Sequence, residues 1–200
     1  MSIELLPLPA IGFATELLPT RDGYRFTLTS LLSTMLNDAE QLFGPRDLTY
    51  TPVGIEFSGG RPKIWYPGTN KHVSIILTDS AREDPAQAIF QLAHEVMHLL
   101  SPTGGAHAPV VEEGLSALFQ ERANEIYGLN LRIVSKPYIE ATKIANKLLR
   151  GQSQIIKKLR VLEPAFHKWS PRFLVANGNV SLKIAEELCE PFIDFETRIK

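Results

Sequence analysis

The sequence predicts an α+β fold: a small, mostly antiparallel sheet packed on a central helix, followed by a largely helical C-terminal part. Three observations predict it. Apolar residues recur at helical spacing over residues 27–43. Between 48 and 78 the period shifts to short, β-rich runs separated by Gly/Pro turns. From residue 85 onward the helical period returns and dominates to the end. At 200 residues, 44% hydrophobic and 22% charged, the chain is long enough to bury one sizeable core without staples.

Residues 1–22 carry Pro7, Pro9 and Pro19 and suggest an extended lead-in or a short strand. They lack a basic segment followed by a long apolar core, so no secretory signal is expected. No apolar run approaches the roughly 18–20 residues of a membrane helix, and the chain is expected to be soluble, cytoplasmic and without a membrane partner. Over 27–43, Leu28, Leu31, Leu32, Met35, Leu36, Ala39 and Phe43 then mark one face of a helix that starts after Ser/Thr residues able to cap it and that Gly44-Pro45 ends.

Residues 49–51 and 53–57 read as extended, Ser58-Gly59-Gly60-Arg61-Pro62 as a turn, and 63–67 as a second strand. A further turn at 67–70 leads to the apolar run 72–78. Asp84-Pro85 opens the central helix, since Asp accepts from the first free N–H groups and proline at the first helical position gives up no needed donor. That helix should run over 85–100, and a Gly/Pro/Ala loop over 101–109 leads to another over 110–127 that Gly128 ends. After an extended stretch at 131–134, helices are expected over 137–150, 153–162 and 181–192. One domain over 1–200 is expected, with 130–200 a candidate helical subdomain.

Charge and cysteine content narrow the chemistry. A net charge of −1 gives no electrostatic footprint for nucleic acid. The single cysteine, Cys189, excludes an internal disulfide and a cysteine-built zinc site, and its neighbours Ala185, Leu188 and Phe192 mark it as an inert core thiol.

The central helix carries His94-Glu95-Val96-Met97-His98. Four helical positions turn the chain by about 400°, so His94 and His98 project from one face, one turn apart, where both imidazoles reach one cation. Glu95 lies about 100° around from His94, placed for a general base rather than a ligand. Burying two imidazoles and a carboxylate among Leu92, Val96, Leu99 and Leu100 costs several kcal/mol unless something pairs with them, and a metal ion would. A catalytic zinc site takes a third protein ligand. The downstream candidates are His107, Glu112 and Glu113; position 104, where the three-histidine pattern places its last ligand, is glycine, so a carboxylate from the next helix fits better.

Val110-Val111-Glu112-Glu113-Gly114-Leu115-Ser116-Ala117 resembles the Glu-Gly-x-Ala element of gluzincin metallopeptidases, and the two motifs in order, over about residues 72–127, make the chain similar to that branch of the peptidase MA-like superfamily. The resemblance implies a zinc-dependent peptidase with Zn²⁺ held by His94, His98 and Glu113, and Glu95 as the base that takes a proton from water and delivers it to the leaving amine. It also implies an oxyanion donor: Tyr138, with His107 and His167 as weaker candidates. Glu112 is expected to be solvated or substrate-facing, and both glutamates also suit a first helical turn as dipole-compensating acids. Gly114 and Ala117 are small enough to let two helices meet over one ion. At Ala117 the sequence departs from the thermolysin pattern, which has an acidic residue there, so the groups that orient the histidines are sought among Ser116, Gln120 and Asn124. The run 73–77 stands where the clan has its substrate-pairing edge strand; an ordinary core strand reads equally well. A peptide or protein substrate is implied, and a non-catalytic or regulatory protein that binds or cleaves one partner is the alternative.

Overall fold

The computed structural model describes residues 27–68, 71–105, 107–150, 152 and 154–199. The proline-containing lead-in, and part of the turn at 67–70, lie outside the described residues. In chain order the elements are α1 (Leu28–Phe43), β1 (Thr51–Ser58), β2 (Lys63–Trp65), β3 (His72–Thr78), a 3₁₀ turn (Asp79–Ala81), α2 (Pro85–His98), α3 (Val110–Tyr127), α4 (Lys136–Leu149), α5 (Ile155–Leu162), a second 3₁₀ turn (Phe166–Lys168), α6 (Pro171–Asn177), α7 (Leu182–Cys189) and α8 (Phe192–Ile199). The class is α+β, with helix predominating. None of the described helices is long and apolar enough to cross a membrane.

The sheet is mixed, not mostly antiparallel. Its order is β1-β3-β2, with β1 parallel to β3 from Thr51 opposite His72 to Ser58 opposite Thr78, and β2 antiparallel to β3. The turn at 58–62 therefore does not close a hairpin; β3 inserts between the strands that the turn joins. Burial explains the order. β3 is covered along its whole length, whereas β1 and β2 alternate between covered and exposed positions. A strand apolar on both faces belongs in the middle and half-polar strands belong at the edges. Pro52 sits on edge strand β1, beside an irregularity in register at Gly54, where its missing donor is tolerated. The run 73–77 is thus the central strand: of the two readings left open there, the ordinary core strand holds and the edge strand does not.

α2 starts as its sequence requires: the Asp84 carboxylate accepts from Gln87 N at 3.1 Å and Pro85 takes the first helical position. Its Ala88, Ile89, Leu92, Ala93, Val96 and Met97 are fully buried, and it contacts β3, α1 and α3. α3 is anchored at its start by the α7–α8 junction. Val110 N donates to Glu190 O and Phe192 N donates to Ala108 O, both at 2.9 Å. Pro191 lies between α7 and α8, so the helix expected over 181–192 ends at Cys189 and a further helix begins at Phe192.

Gly114 has a different partner from the expected one. A Cβ there would lie 2.5 Å from Ala141 O and 2.8 Å from Ala145 Cβ, so the glycine lets α3 press against α4 rather than against α2. Buried residues from Leu31 in α1 to Phe195 in α8 belong to one contiguous apolar cluster.

Candidate metal centre

Two helices build the site. The last turns of α2 present His94 and His98, whose rings lie 5.3 Å apart at 62°. The first turn of α3 brings Glu112 and Glu113 against them. Glu113 faces both histidines, with Oε2 3.1 Å from His94 Nε2 and Oε1 3.7 Å from His98 Nε2. The side chains of His94, His98 and Glu113 are 12%, 11% and 12% exposed, enough for a ligand and too little for ordinary hydration. One ligand atom from each lies within 4.8 Å of the others.

These residues fit a zinc ion. Bonds of about 2.0–2.1 Å to a tetrahedral centre put ligand atoms about 3.3–3.4 Å apart. Glu113 lies 3.1 Å from His94 Nε2 through Oε2 and 3.7 Å from His98 Nε2 through Oε1, and one ligand atom from each of the three residues lies within 4.8 Å of the others, near that spacing. The donor set, two imidazole nitrogens and one carboxylate oxygen, is one that can hold a zinc ion.

Glu112 is neither solvated nor facing a substrate. It is completely buried, and His98 Nδ1–H donates to its Oε1 at 2.8 Å. This contact fixes the His98 ring so that Nε2 points at Glu113, the arrangement in which a carboxylate behind a histidine orients it and raises its basicity toward a metal. The three residues considered for that task do other things. Ser116 Oγ donates back to Glu112 O, Gln120 Nε2 donates to Phe90 O, and Asn124 Oδ1 accepts from Leu131 N. The adjacent pair Glu112-Glu113 carried the signal: on a helix the two point about 100° apart, so one faces both histidines and the other reaches behind the His98 ring.

Electrostatics follow from burial and proximity. Burial works against a charge on His98, but Glu113 beside Nε2 and the Glu112 hydrogen bond at Nδ1 overcome it and push the imidazole up to about 10 in the metal-free chain. Burial raises the carboxyls of Glu95 and Glu112, with the His98 and His94 charges opposing at Glu95. At Glu113 burial is outweighed by His98 and His94, which hold the carboxyl below its usual range.

Glu95, 4% exposed, lines a cleft of about 430 Å³ together with His94 and Tyr138. Tyr138, in the first turn of α4, sets its ring 5.4 Å from the His94 ring, edge to face, and 4.7 Å from Phe192. Burial, with Glu113 and Glu95 nearby, raises its phenol, so the hydroxyl stays protonated and able to donate. Of the three oxyanion candidates, Tyr138 is the one that lines this cleft; His107 is exposed in the loop between α2 and α3, and His167 lines a different cavity. The segment 132–135, with Val134 87% exposed, forms one wall, and Arg61 and Pro62, just before β2, form another. No protein family, curated protein or solved structure matches the chain.

Proposed function

We propose that this chain is a zinc-dependent peptidase of the gluzincin type. His94, His98 and Glu113 would hold Zn²⁺, which when bound supplies Lewis acidity, bringing the pKa of a coordinated water toward about 7 and polarising a carbonyl. The observation that carries the reading is the meeting of His94, His98 and Glu113 from two helices, with Glu112 behind His98 and Glu95 in the adjoining cleft.

In this reading Glu95 is the general base. Its buried, raised carboxyl is a better proton acceptor than a solvated one, and it passes the proton on to the leaving amine. Tyr138 donates its O–H to the oxyanion that develops on the scissile carbonyl. The scissile carbonyl of an extended peptide would lie in the 430 Å³ cleft, and its backbone would pair with β2, the outer strand of the described sheet, whose preceding residues line that cleft.

The test is hydrolysis of an unstructured protein substrate such as casein by the zinc-loaded chain and by Glu95→Gln. The reading expects cleavage by the first, and in the second bound zinc with activity at background. Equal activity of the two would overturn Glu95 as the base, and no cleavage of casein or a random peptide library by the zinc-loaded chain would overturn the peptidase reading.

A further inference from the structure

Among the described residues three buried side-chain atoms have no hydrogen-bond partner: Ser101 Oγ, Glu112 Oε2 and His167 Nδ1. They come from separate parts of the chain, just past the end of α2, the first turn of α3 and the second 3₁₀ turn, yet all three belong to the surroundings of one residue, Arg160 of α5. Ser101 follows Leu100, whose carbonyl accepts from Arg160 Nη2 at 3.0 Å, and His167 follows Phe166, whose ring lies 5.2 Å from the guanidinium carbon. Ser101, Arg160 and His167 line one cavity of about 580 Å³. Glu112 approaches from the metal side: its Oε1 accepts from His98 Nδ1 at 2.8 Å, and α3 packs against the second 3₁₀ turn. The charges agree with this placement. Burial raises the Glu112 carboxyl, the hydrogen bond and charge of His98 lower it, and His167 lowers it too. Burial draws the Arg160 guanidinium down to about 10, and Glu112 and then Glu40 oppose that fall.

Counting donors shows what Glu112 Oε2 can use. Arg160 offers it charge but no hydrogen bond, because all five of its N–H groups go to main-chain carbonyls: Nε to Pro164 O, Nη1 to Phe43 O and Gly44 O, and Nη2 to Pro45 O and Leu100 O. The unspent donors beside it are the Ser101 hydroxyl and the N–H that His167 carries at Nδ1 in one of its tautomers. Neither bonds Oε2 directly, so the connection runs through water; a carboxylate oxygen, a hydroxyl and a ring N–H are the two to four partners that a buried water takes.

We propose that His167 is a positioning residue for the metal centre: its Nδ1–H, through buried water shared with Ser101 Oγ, holds the second oxygen of Glu112, and Glu112 in turn holds the His98 ring. The inference rests on the reading of His94, His98 and Glu113 as a metal centre and extends the support of His98 outward from Glu112. A carboxylate bonded at one oxygen swings about its Cγ–Cδ bond. Bonded at both it is fixed, and with it the direction of His98 Nε2 toward Glu113.

Two measurements on the full-length chain test this. In the metal-free chain at pH 8, the ring ¹⁵N resonances should show His167 as the Nδ1–H tautomer, and Glu112→Gln should shift them. Zinc affinity, read by chelator competition, should fall about three- to tenfold in His167→Leu, the worth of one net hydrogen bond. It should return to within twofold of wild type in His167→Asn, whose amide N–H stands near the place of Nδ1–H, and His167→Leu should cost nothing further when added to Glu112→Ala. A role in packing alone would not be rescued by Asn and would add to the Glu112→Ala loss. The proposal is overturned by an Nε2–H tautomer whose resonances ignore Glu112→Gln, by equal zinc affinity in wild type and His167→Leu, or by additive losses. Failure of zinc to bind at all would overturn the metal-centre reading and with it this role; the ring resonances, read without metal, tell that outcome apart from a missing link between His167 and Glu112.

Discussion

Replacing Glu112 distinguishes two physical roles for the same carboxylate. If it served only as an acid in the first turn of α3, Glu112→Gln would cost the helix-dipole term of about 0.3–1 kcal/mol in stability and leave metal affinity alone. The geometry makes a different demand. Glu112 is completely buried and takes the Nδ1 proton of His98 at 2.8 Å, so it decides which ring nitrogen of His98 is presented toward Glu113. A hydrogen bond to a charged group contributes about 1.5–3 kcal/mol, equivalent to roughly 10–100-fold in affinity, the range found when carboxylates behind metal-bound histidines are removed. Gln keeps the shape and an acceptor but loses the charge, so Glu112→Gln should weaken zinc binding about 10-fold. Ala loses both and should weaken it about 100-fold. Zinc affinity is read by competition against a chromophoric chelator at pH 7.5, with Glu113→Gln as the comparison that removes a ligand outright. Affinities of both Glu112 variants within twofold of wild type would refute the reasoning.

Further outcomes follow from the same site and its supports. The His98 proton, held to about pH 10 by Glu113 and Glu112 against burial, contributes stability to the metal-free chain that is complete below the unfolded value of 6.5 and is lost as pH rises through 10. Zinc must displace that proton, so loading between these limits should release close to one proton, seen as a buffer-dependent heat, and apparent affinity should climb by about tenfold per pH unit. Gly114→Ala forces a methyl group to within 2.5 Å of Ala141 O; a cost of about 1–3 kcal/mol lowers the thermal midpoint by about 2–4 °C for each kcal/mol, and an unchanged midpoint would contradict the close α3–α4 contact. Tyr138→Phe keeps the ring against His94 and Phe192 but removes the donor, so kcat on a peptide substrate should fall by about 10²–10³ with KM little changed; an unaffected kcat would assign the oxyanion to another group.

Much of this arrangement is legible in the residues, and the exceptions have physical causes. Capping chemistry placed the starts of α1 and α2, since Thr27 and Asp84 accept from the third residue on as their types predict. Helical spacing put His94 and His98 on one side of α2, which is local geometry and needs no tertiary information. Strand order was not legible, because a Gly-rich turn is compatible with either a hairpin or a crossing connection; which one forms depends on which strand is covered on both faces. The role of Gly114 required knowing that α4 packs on α3, and which of the two glutamates stands behind His98 required knowing how the first turn of α3 lies against the end of α2. α6 was missed because its seven residues make only about two turns within a Pro- and Trp-containing stretch, and α8 because the pattern was followed only to Phe192.

The central claim is that two imidazoles and one carboxylate from successive helices share one cation. X-ray absorption at the zinc edge, on the chain loaded with one equivalent and dialysed, tests it most directly. The account predicts a shell of nitrogen and oxygen only at about 2.0–2.1 Å, with multiple-scattering features of two imidazoles that fall to one in His94→Ala. A sulfur contribution at about 2.3 Å, or a spectrum that is the same in wild type, His94→Ala and Glu113→Gln, would contradict it.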